Sequence, residues 1–166
     1  ALGQVEEGAQ LLHEGFAMWT SDGSQTGVTE YAALAADVLI DAGRVAEAER
    51  FVRAGERALA ELHERFFAAE LARLRARLLQ HAGDDDAAEA GLREAIAIAA
   101  HQGARLFALR AATDLARLLH RQGRLDEGAN VLRPALVALP EGHQQPDARR
   151  AADTLQALAR AMPVRD

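Results

Sequence analysis

The residues able to do chemistry are few in this sequence, and their spacing matches no catalytic or metal-binding motif. His13-Glu14 and His63-Glu64 each begin like the zinc-protease motif, but neither has a second His four residues after the first. The chain contains no Lys, so it cannot form the Gly-Lys-Ser/Thr loop that holds phosphates. Asp84-Asp85-Asp86 suggests a cation site, although acidic residues at a helix N-terminus explain it better. We therefore expect no catalytic residue, no metal ligand and no cofactor.

The composition predicts closely packed helices. Of the 166 residues 49% are hydrophobic but only 4% are aromatic, so Ala and Leu, both strong helix formers, must build the core. There is no Cys, which excludes disulfides and thiolate chemistry. The net charge of −6 argues against a nucleic-acid-binding surface. Without a signal pattern or an apolar run of about 20 residues, we expect a cytoplasmic protein that does not contact the membrane.

One short stretch organises the chain, because it occurs four times. Its glycines fall at positions 3, 43, 83 and 123, a constant spacing of 40 residues. Such a period indicates stacked supersecondary units. Each Gly is expected to end one helix in the left-handed conformation, and the acidic residues that follow suit the N-terminus of the next helix. A small residue five positions after each Gly (Gly8, Ala48, Ala88 and Gly128) would let neighbouring helices approach closely.

The repeat predicts the order of helices. We expect helices over residues 5–19, 28–42, 45–62, 66–82, 85–101, 105–122, 125–139 and 147–162. Gly3 would be the end of a helix that precedes them. The predicted units are a half repeat over 1–27, hairpins over 28–67, 68–107 and 108–139, and a capping helix over 146–162.

The repeated stretch resembles the tetratricopeptide repeat. Columns of Ala (Ala36, Ala76, Ala116) and Leu (Leu39, Leu79, Leu119) precede the glycines in register. The resemblance implies an all-α fold, a right-handed α-solenoid of tetratricopeptide-like hairpins. Its period of 40 residues is longer than the usual ~34 and leaves room for extra helical turns.

A narrower resemblance covers nearly the whole chain. The phrases GRVAEA (43–48), ERFFAAEL (64–71), QGAR (102–105), LRAA (109–112), EGH (141–143) and PD (146–147) are similar to one family. This family is the C-terminal repeat region of large bacterial signalling proteins, in which a STAND-type ATPase lies between the repeats and an output domain. The output domain is an adenylate cyclase or a winged-helix DNA-binding domain. The catalytic residues of the family lie in those other domains.

The tetratricopeptide resemblance also implies a concave groove, lined by the first helix of each hairpin. The groove positions are acidic at the start (Glu30, Asp37, Asp41) and basic later. The predicted partner-binding residues are Arg73, Arg77, His81, Arg110, Arg117, His120 and Arg121. Arginines in such an arc could clamp carboxylates or phosphates by paired hydrogen bonds. The alternative is a solvated helix face in a protein whose only strong cation is Arg.

On these grounds we expect a non-enzymatic protein–protein interaction and regulatory module of a larger bacterial signalling or transcription-regulating protein. Its partner would be a protein or peptide, of acidic character, and not a nucleic acid. Two other classes stay open, a stand-alone sensor that binds a small ligand or peptide in the groove, and an enzyme with an unrecognised site.

The first unit is expected to lack its lining helix. Val5, Leu12, Phe16 and Trp19 would then form an apolar face that only one neighbour covers. Since exposed apolar patches tend to find partners, the sequence predicts either a homodimer through this N-terminal helix or upstream residues that cover it in the intact protein.

Overall fold

The computed structural model describes residues 2–21, 27–62, 65–139 and 144–162, without the side chains of residues 2–5 and 20. Within these ranges the protein consists of eight α-helices and has no strand. The His63-Glu64 pair, the EGH segment and the side chain of Val5 lie outside the described residues. None of the described helices is long and apolar enough to cross a membrane.

The predicted helices agree with the observed ones to within about three residues at every end. The helices are α1 (Leu2–Ser21), α2 (Val28–Asp41), α3 (Val45–Leu62), α4 (Ala68–His81), α5 (Asp85–Gln102), α6 (Arg105–Arg121), α7 (Leu125–Val137) and α8 (Pro146–Ala161). The exception concerns Gly3, which lies inside α1 and does not end a preceding helix. That prediction was wrong because a Gly can also sit in a helix interior, at a modest cost in backbone entropy.

The turns between helices at the three later glycines, which we call corners, have the predicted geometry. Gly43, Gly83 and Gly123 have φ angles of 76°, 84° and 76°, in the left-handed region. At the second of these corners the Asp84 N–H donates to the carbonyl of Leu79 at 3.0 Å, closing the end of α4. The Asp84 side chain then accepts the Ala87 N–H at 3.0 Å and caps α5. The acidic run is therefore a helix start, and the described residues contain no group of His, Asp and Glu that could hold a metal ion.

Small residues after three of the glycines permit close helix packing. Ala48 and Ala88 are completely buried. A Cβ added to Gly128 would lie 3.2 Å from the Ala116 carbonyl oxygen, so the backbones nearly touch there. Gly8 differs, since nothing lies within 4 Å of such a Cβ. The close approach thus belongs to the later copies.

The helices form two layers. Helices α2, α4, α6 and α8 lie side by side, each in contact with the next, and we call them the inner helices. Helices α3, α5 and α7 each pack between two inner helices, and with α1 we call them the outer helices. Side chains alone connect neighbouring outer helices, as in the ion pair of Arg93 on α5 with Glu127 on α7. Because the backbones of consecutive inner helices approach each other, the inner layer forms a continuous surface. Buried Ala and Leu side chains fill the space between the layers.

The first helix packs on the one hairpin that follows it. Leu12 and Phe16 are partly buried and pack on the core formed by α2 and α3, where the Phe16 ring lies 5.2 Å from the Phe51 ring. The Tyr31 hydroxyl donates to the Leu12 carbonyl at 3.0 Å. Leu12 and Phe16 thus contact the following hairpin and stay partly exposed, and of the predicted apolar face Trp19 is exposed. Leu11 and Met18 are the other exposed large apolar side chains described in α1.

The left-handed corner glycines should be sensitive to any side chain. Gly83→Ala forces an L-residue into the left-handed region and should lower the free energy of unfolding by about 1–2 kcal/mol. No atom lies within 4 Å of the added Cβ, so crowding adds nothing to this loss. Gly8→Ala is the matched control, because it lies within α1 with the same free space. It should be neutral or stabilising in urea denaturation. Equal losses in the two variants would contradict the role of Gly83 as a helix end.

Candidate functional site

The predicted groove residues lie on the inner helices, and the structure pairs several of them with carboxylates of the same chain. Arg73 and Arg77 are on α4, and Arg110 and Arg117 are on α6. Their neighbours on the inner layer are acidic residues of α2, α4, α6 and α8. Every buried polar side-chain atom in the described residues has a hydrogen-bond partner.

Arg73 is the centre of this network. Its side chain is buried, and the residue is only 4% exposed. Its guanidinium donates to both carboxylate oxygens of Glu70, at 3.0 and 2.8 Å. It also donates to Asp37 on α2 at 2.6 Å and to Asp114 on α6 at 2.7 Å. One cation thus joins three consecutive inner helices.

Arg77 and Arg110 extend the network in opposite directions. Arg77 donates to Asp37 and to Asp41, both at 2.6 Å, and so binds α4 to α2. Arg110 donates to Glu70 at 2.9 Å and to Asp147 at 2.9 Å, and so connects α4, α6 and α8. These two arginines are partly buried and are already paired within the chain.

The network lowers the pKa of Asp37 and raises that of Arg73. Burial alone would raise the pKa of Asp37, but the guanidinium of Arg73, together with Arg77 and Arg110, holds it below its ordinary value of 3.8. Burial opposes the charge of Arg73 as well, yet Asp114, Glu70 and Asp37 raise its pKa well above the ordinary value. Asp37 and Arg73 are therefore charged at neutral pH.

The remaining predicted residues stay accessible. Arg117 is exposed, and its Nε donates to the Thr154 hydroxyl on α8 at 3.3 Å. Arg121 is exposed and His120 is half-buried, and neither forms an ion pair with any residue that the structure describes. The exposed His81 donates from Nδ1 to the Arg77 carbonyl at 2.9 Å. The predicted basic groove residues therefore fall into two groups. Arg73, Arg77 and Arg110 are neutralised by carboxylates of the chain, whereas Arg117, His120 and Arg121 form no ion pair with the described residues.

Two carboxylates and one cation of this face were missed by the sequence analysis. Asp114 and Asp147 complete the ion pairs, and Arg150 lies beside Arg110 and Arg117 in the narrow cleft across the inner layer. Asp147 follows Arg110 by 37 residues, slightly less than the 40-residue repeat. Had the sequence analysis counted 37 residues from α6 to the last helix, it would have placed Asp147 and Arg150 on the inner face.

A second candidate surface lies at the loop ends of the hairpins. Phe66, Phe67 and Phe107 line a recess of about 540 Å³ together with Arg65, Gln102 and Ala104. The Phe67 and Phe107 rings are 5.2 Å apart, and Phe66 is 84% exposed. The Gln102 side chain donates to the Arg65 carbonyl and so connects the two hairpins at this point. The equivalence of Phe67 and Phe107 was visible in the sequence, but the recess between them was not.

The motif-like His13-Glu14 pair does not act as a unit. The His13 ring nitrogen Nε2 lies 2.7 Å from a carboxylate oxygen of Glu47 on α3, whereas the Glu14 carboxylate accepts from Gln10. His13 therefore joins α1 to α3 as a structural contact.

No protein-family model matches the chain, and no curated protein matches it. The family resemblance therefore remains an expectation that its residues alone support.

Removing the central cation should destabilise the packing of the inner helices. Arg73→Met leaves Glu70, which is 2% exposed, without its bidentate partner in a buried place. The free energy of unfolding should fall by about 3–5 kcal/mol in urea denaturation. Arg117→Met, at an exposed residue of the same face, is the control and should cost less than about 0.5 kcal/mol. A loss no larger than that of the control would show that the network does not hold the helices together. Adding Glu70→Gln to Arg73→Met should recover part of the loss.

The network should also make stability depend on pH. Because the pKa of Asp37 lies below 3.8 in the folded protein, its pairing stabilises the fold above that pH. The contribution is lost as the pH falls through the folded-state pKa. Asp37→Asn should therefore be less stable than the natural protein at about pH 7, and the difference should shrink at about pH 3. Unfolding free energies of both proteins across this range test it. A difference that is constant with pH would contradict the pairing.

Proposed function

We propose that the chain is a right-handed α-solenoid of tetratricopeptide-like hairpins with a 40-residue period. Three observations support this. Gly43, Gly83 and Gly123 share one left-handed conformation, and the outer helices α3, α5 and α7 begin at Val45, Asp85 and Leu125, with a spacing of 40 residues. The backbones of consecutive inner helices approach each other while those of these outer helices stay farther apart, which curves the array with the inner layer on its concave side.

The function that this geometry supports best is a non-enzymatic protein–protein interaction and regulatory module. A helical array of this kind offers an extended concave surface to a partner. Its place in a larger bacterial signalling or transcription-regulating protein, next to a STAND-type ATPase, rests on the sequence phrases alone. We assign no cofactor and no nucleic-acid contact to it.

One observation carries the binding proposal. On the inner face the cations of α4 are saturated by carboxylates, whereas Arg117, Arg121 and Arg150 have no carboxylate partner among the described residues. Exposed guanidiniums of one face that lack internal counterions favour a partner that brings its own carboxylates. The partner is therefore an acidic protein segment that lies across α6 and α8, and the neutralised α2–α4 part acts as a rigid support.

A second candidate function rests on the aromatic recess. Its volume of about 540 Å³ and its Phe lining are typical of sites for small apolar ligands. A stand-alone sensor that takes a small ligand or an apolar peptide side chain would use this recess at the loop ends, rather than the concave groove.

The two candidates predict different binding behaviour. Peptides selected from a random phage-displayed library on the purified chain should be rich in Asp and Glu. Their affinity, measured by isothermal titration calorimetry, should fall at least about tenfold with Arg117→Glu plus Arg121→Glu, because attraction becomes repulsion. Phe66→Ser is the matched control at an exposed residue and should leave the affinity unchanged.

The opposite results discriminate the alternatives. Peptides that lose affinity with Phe66→Ser but not with the arginine reversals would assign binding to the aromatic recess. A selection that enriches no acidic sequence, with both variants folded by circular dichroism, would overturn the groove proposal.

A further inference from the structure

A groove on the outer layer exposes apolar side chains between α3 and α5. It encloses about 520 Å³ and has α4 as its floor. Leu59 on α3, Leu79 on α4 and Ile98 on α5 line it and are half-buried, so apolar surface meets water there. We call this site, which extends from Ala68 to Leu79 along α4 and from Ala87 to Ile98 along α5, the outer groove.

The repeat supplies an internal reference, because the two other junctions between outer helices are filled. Phe51 of α3 is 3% exposed, and its ring lies 5.2 Å from that of Phe16 on α1. The equivalent residue 40 positions later is Gly91 on α5, and the next equivalent is Val131 on α7, which packs on the core. The junction of α3 with α5 therefore lacks the large apolar side chain that its counterparts have.

The polar contacts of the other junctions are missing here as well. Glu47 of α3 lies 2.7 Å from His13 of α1, and Glu127 of α7 pairs with Arg93 of α5. The equivalent residue of α5 is Ala87, and no hydrogen bond or ion pair joins α3 to α5, two helices that the structure describes completely. The outer groove is thus specific to this junction and is not a general feature of the outer layer.

Close packing of α5 on α4 keeps the groove open. A Cβ at Gly91 would lie 3.0 Å from the Cβ of Ala76 on α4, so this position has no room for a large side chain. Ala90, the next residue at the rim, is exposed and small. The groove therefore stays accessible to another molecule.

The charges at the groove favour a cationic partner. The Glu56 carboxylate accepts from Arg75 Nε at 2.9 Å, so these two charges cancel. Glu94, on the opposite wall, is exposed and forms no ion pair within the described part of the chain. One uncompensated carboxylate beside apolar surface is complementary to a partner that combines an apolar face with a basic residue.

The length of the groove fits a helix. Ala68 and Leu79 on the floor are eleven residues apart, and so are Ala87 and Ile98 on the α5 wall. At a rise of about 1.5 Å per residue each pair spans about 16 Å, which is roughly three helical turns. A partner helix of that length can place side chains of successive turns between α3 and α5.

We propose that the outer groove binds an amphipathic helix of a partner protein. The apolar face of this helix covers Leu59, Leu79 and Ile98, and a Lys or Arg at the border of that face pairs with Glu94. Apolar side chains of the partner thus take the place at this junction that Phe51 fills at the preceding one.

Helical peptides selected on the purified chain test the proposal. The probe is a phage-displayed library of Ala-rich helices in which one face is randomised. Peptides that also bind the Ala90→Arg variant are discarded, because an Arg at this exposed residue enters the groove and repels a cation. The remaining peptides should carry apolar residues at helical spacing with Lys or Arg at the border. Arg117→Glu plus Arg121→Glu should leave their affinity unchanged, since these arginines lie on the inner layer.

Charge reversal at Glu94 identifies the contact. Glu94→Arg should lower the affinity of these peptides at least about tenfold in isothermal titration calorimetry, because attraction becomes repulsion. Replacing the basic residue of the peptide by Glu should restore affinity for Glu94→Arg but not for the natural chain. Glu30→Arg, the same change at an exposed residue of α2, is the matched control and should leave the affinity unchanged. Glu94 and Ala90 are exposed, so circular dichroism and the melting temperature of their variants should match those of the natural chain.

Three results would overturn the proposal. They are a selection in which no peptide distinguishes the natural chain from Ala90→Arg, selected peptides without a basic residue, and peptides whose affinity Glu94→Arg leaves unchanged. None of them would affect the proposed acidic partner of α6 and α8, because that partner is tested with Arg117→Glu plus Arg121→Glu on the other layer.

Discussion

The buried guanidinium of Arg73 is the interaction on which the inner layer depends. A cation that is 4% exposed would be strongly destabilising alone, yet Glu70, Asp37 and Asp114 surround it at 2.6 to 3.0 Å. The three carboxylates come from α2, α4 and α6, so the geometry of this contact fixes the mutual register of those helices. The small side chains of Ala-rich helices would allow one helix to shift along another. The hydrogen bonds of the Arg73 guanidinium have fixed directions, so they hold the helices in one register. Any arrangement of the helices that separates these charges leaves a buried ion unpaired. That penalty fixes the register whether or not the intact cluster adds net stability.

The same constraint decides which part of the inner face is open to other molecules. A column of equivalent positions runs through Asp37, Arg77 and Arg117. Where acid and base alternate between neighbouring helices, as in Asp37 and Arg77, the charges meet within the chain. At Arg117 the neighbour on α8 is Thr154, which accepts one hydrogen bond but carries no charge. A cation of the same type is thus structural in one copy and available to a partner in the next.

The sequence predicted helix bounds well because local signals set them. Left-handed glycines, acidic helix starts and the 40-residue register act over a few residues and need no knowledge of distant neighbours. The partners of Arg73 could not be predicted in this way, because Asp37 and Asp114 are 36 and 41 residues away and their pairing depends on helix rotation. The same reason limits what could be predicted at Leu12 and Phe16. Helical spacing gave their common face, but its contacts with Tyr31 and Phe51 are visible only in the structure.

Two open parts of the inner layer lie where an inner helix lacks a matching neighbour among the described residues. Within the array each inner helix meets another on both sides, so its apolar and charged positions find partners in the chain. At α2 the apolar positions Leu34 and Val38 have no preceding inner helix among the described residues, and they are exposed. At α6 the position of Arg117 meets α8, a helix in a different register with a neutral residue opposite. A repeat position whose side chain is buried in one copy and exposed in another therefore marks a contact that the described chain does not make. The exposed side chains are apolar at α2 and cationic at α6.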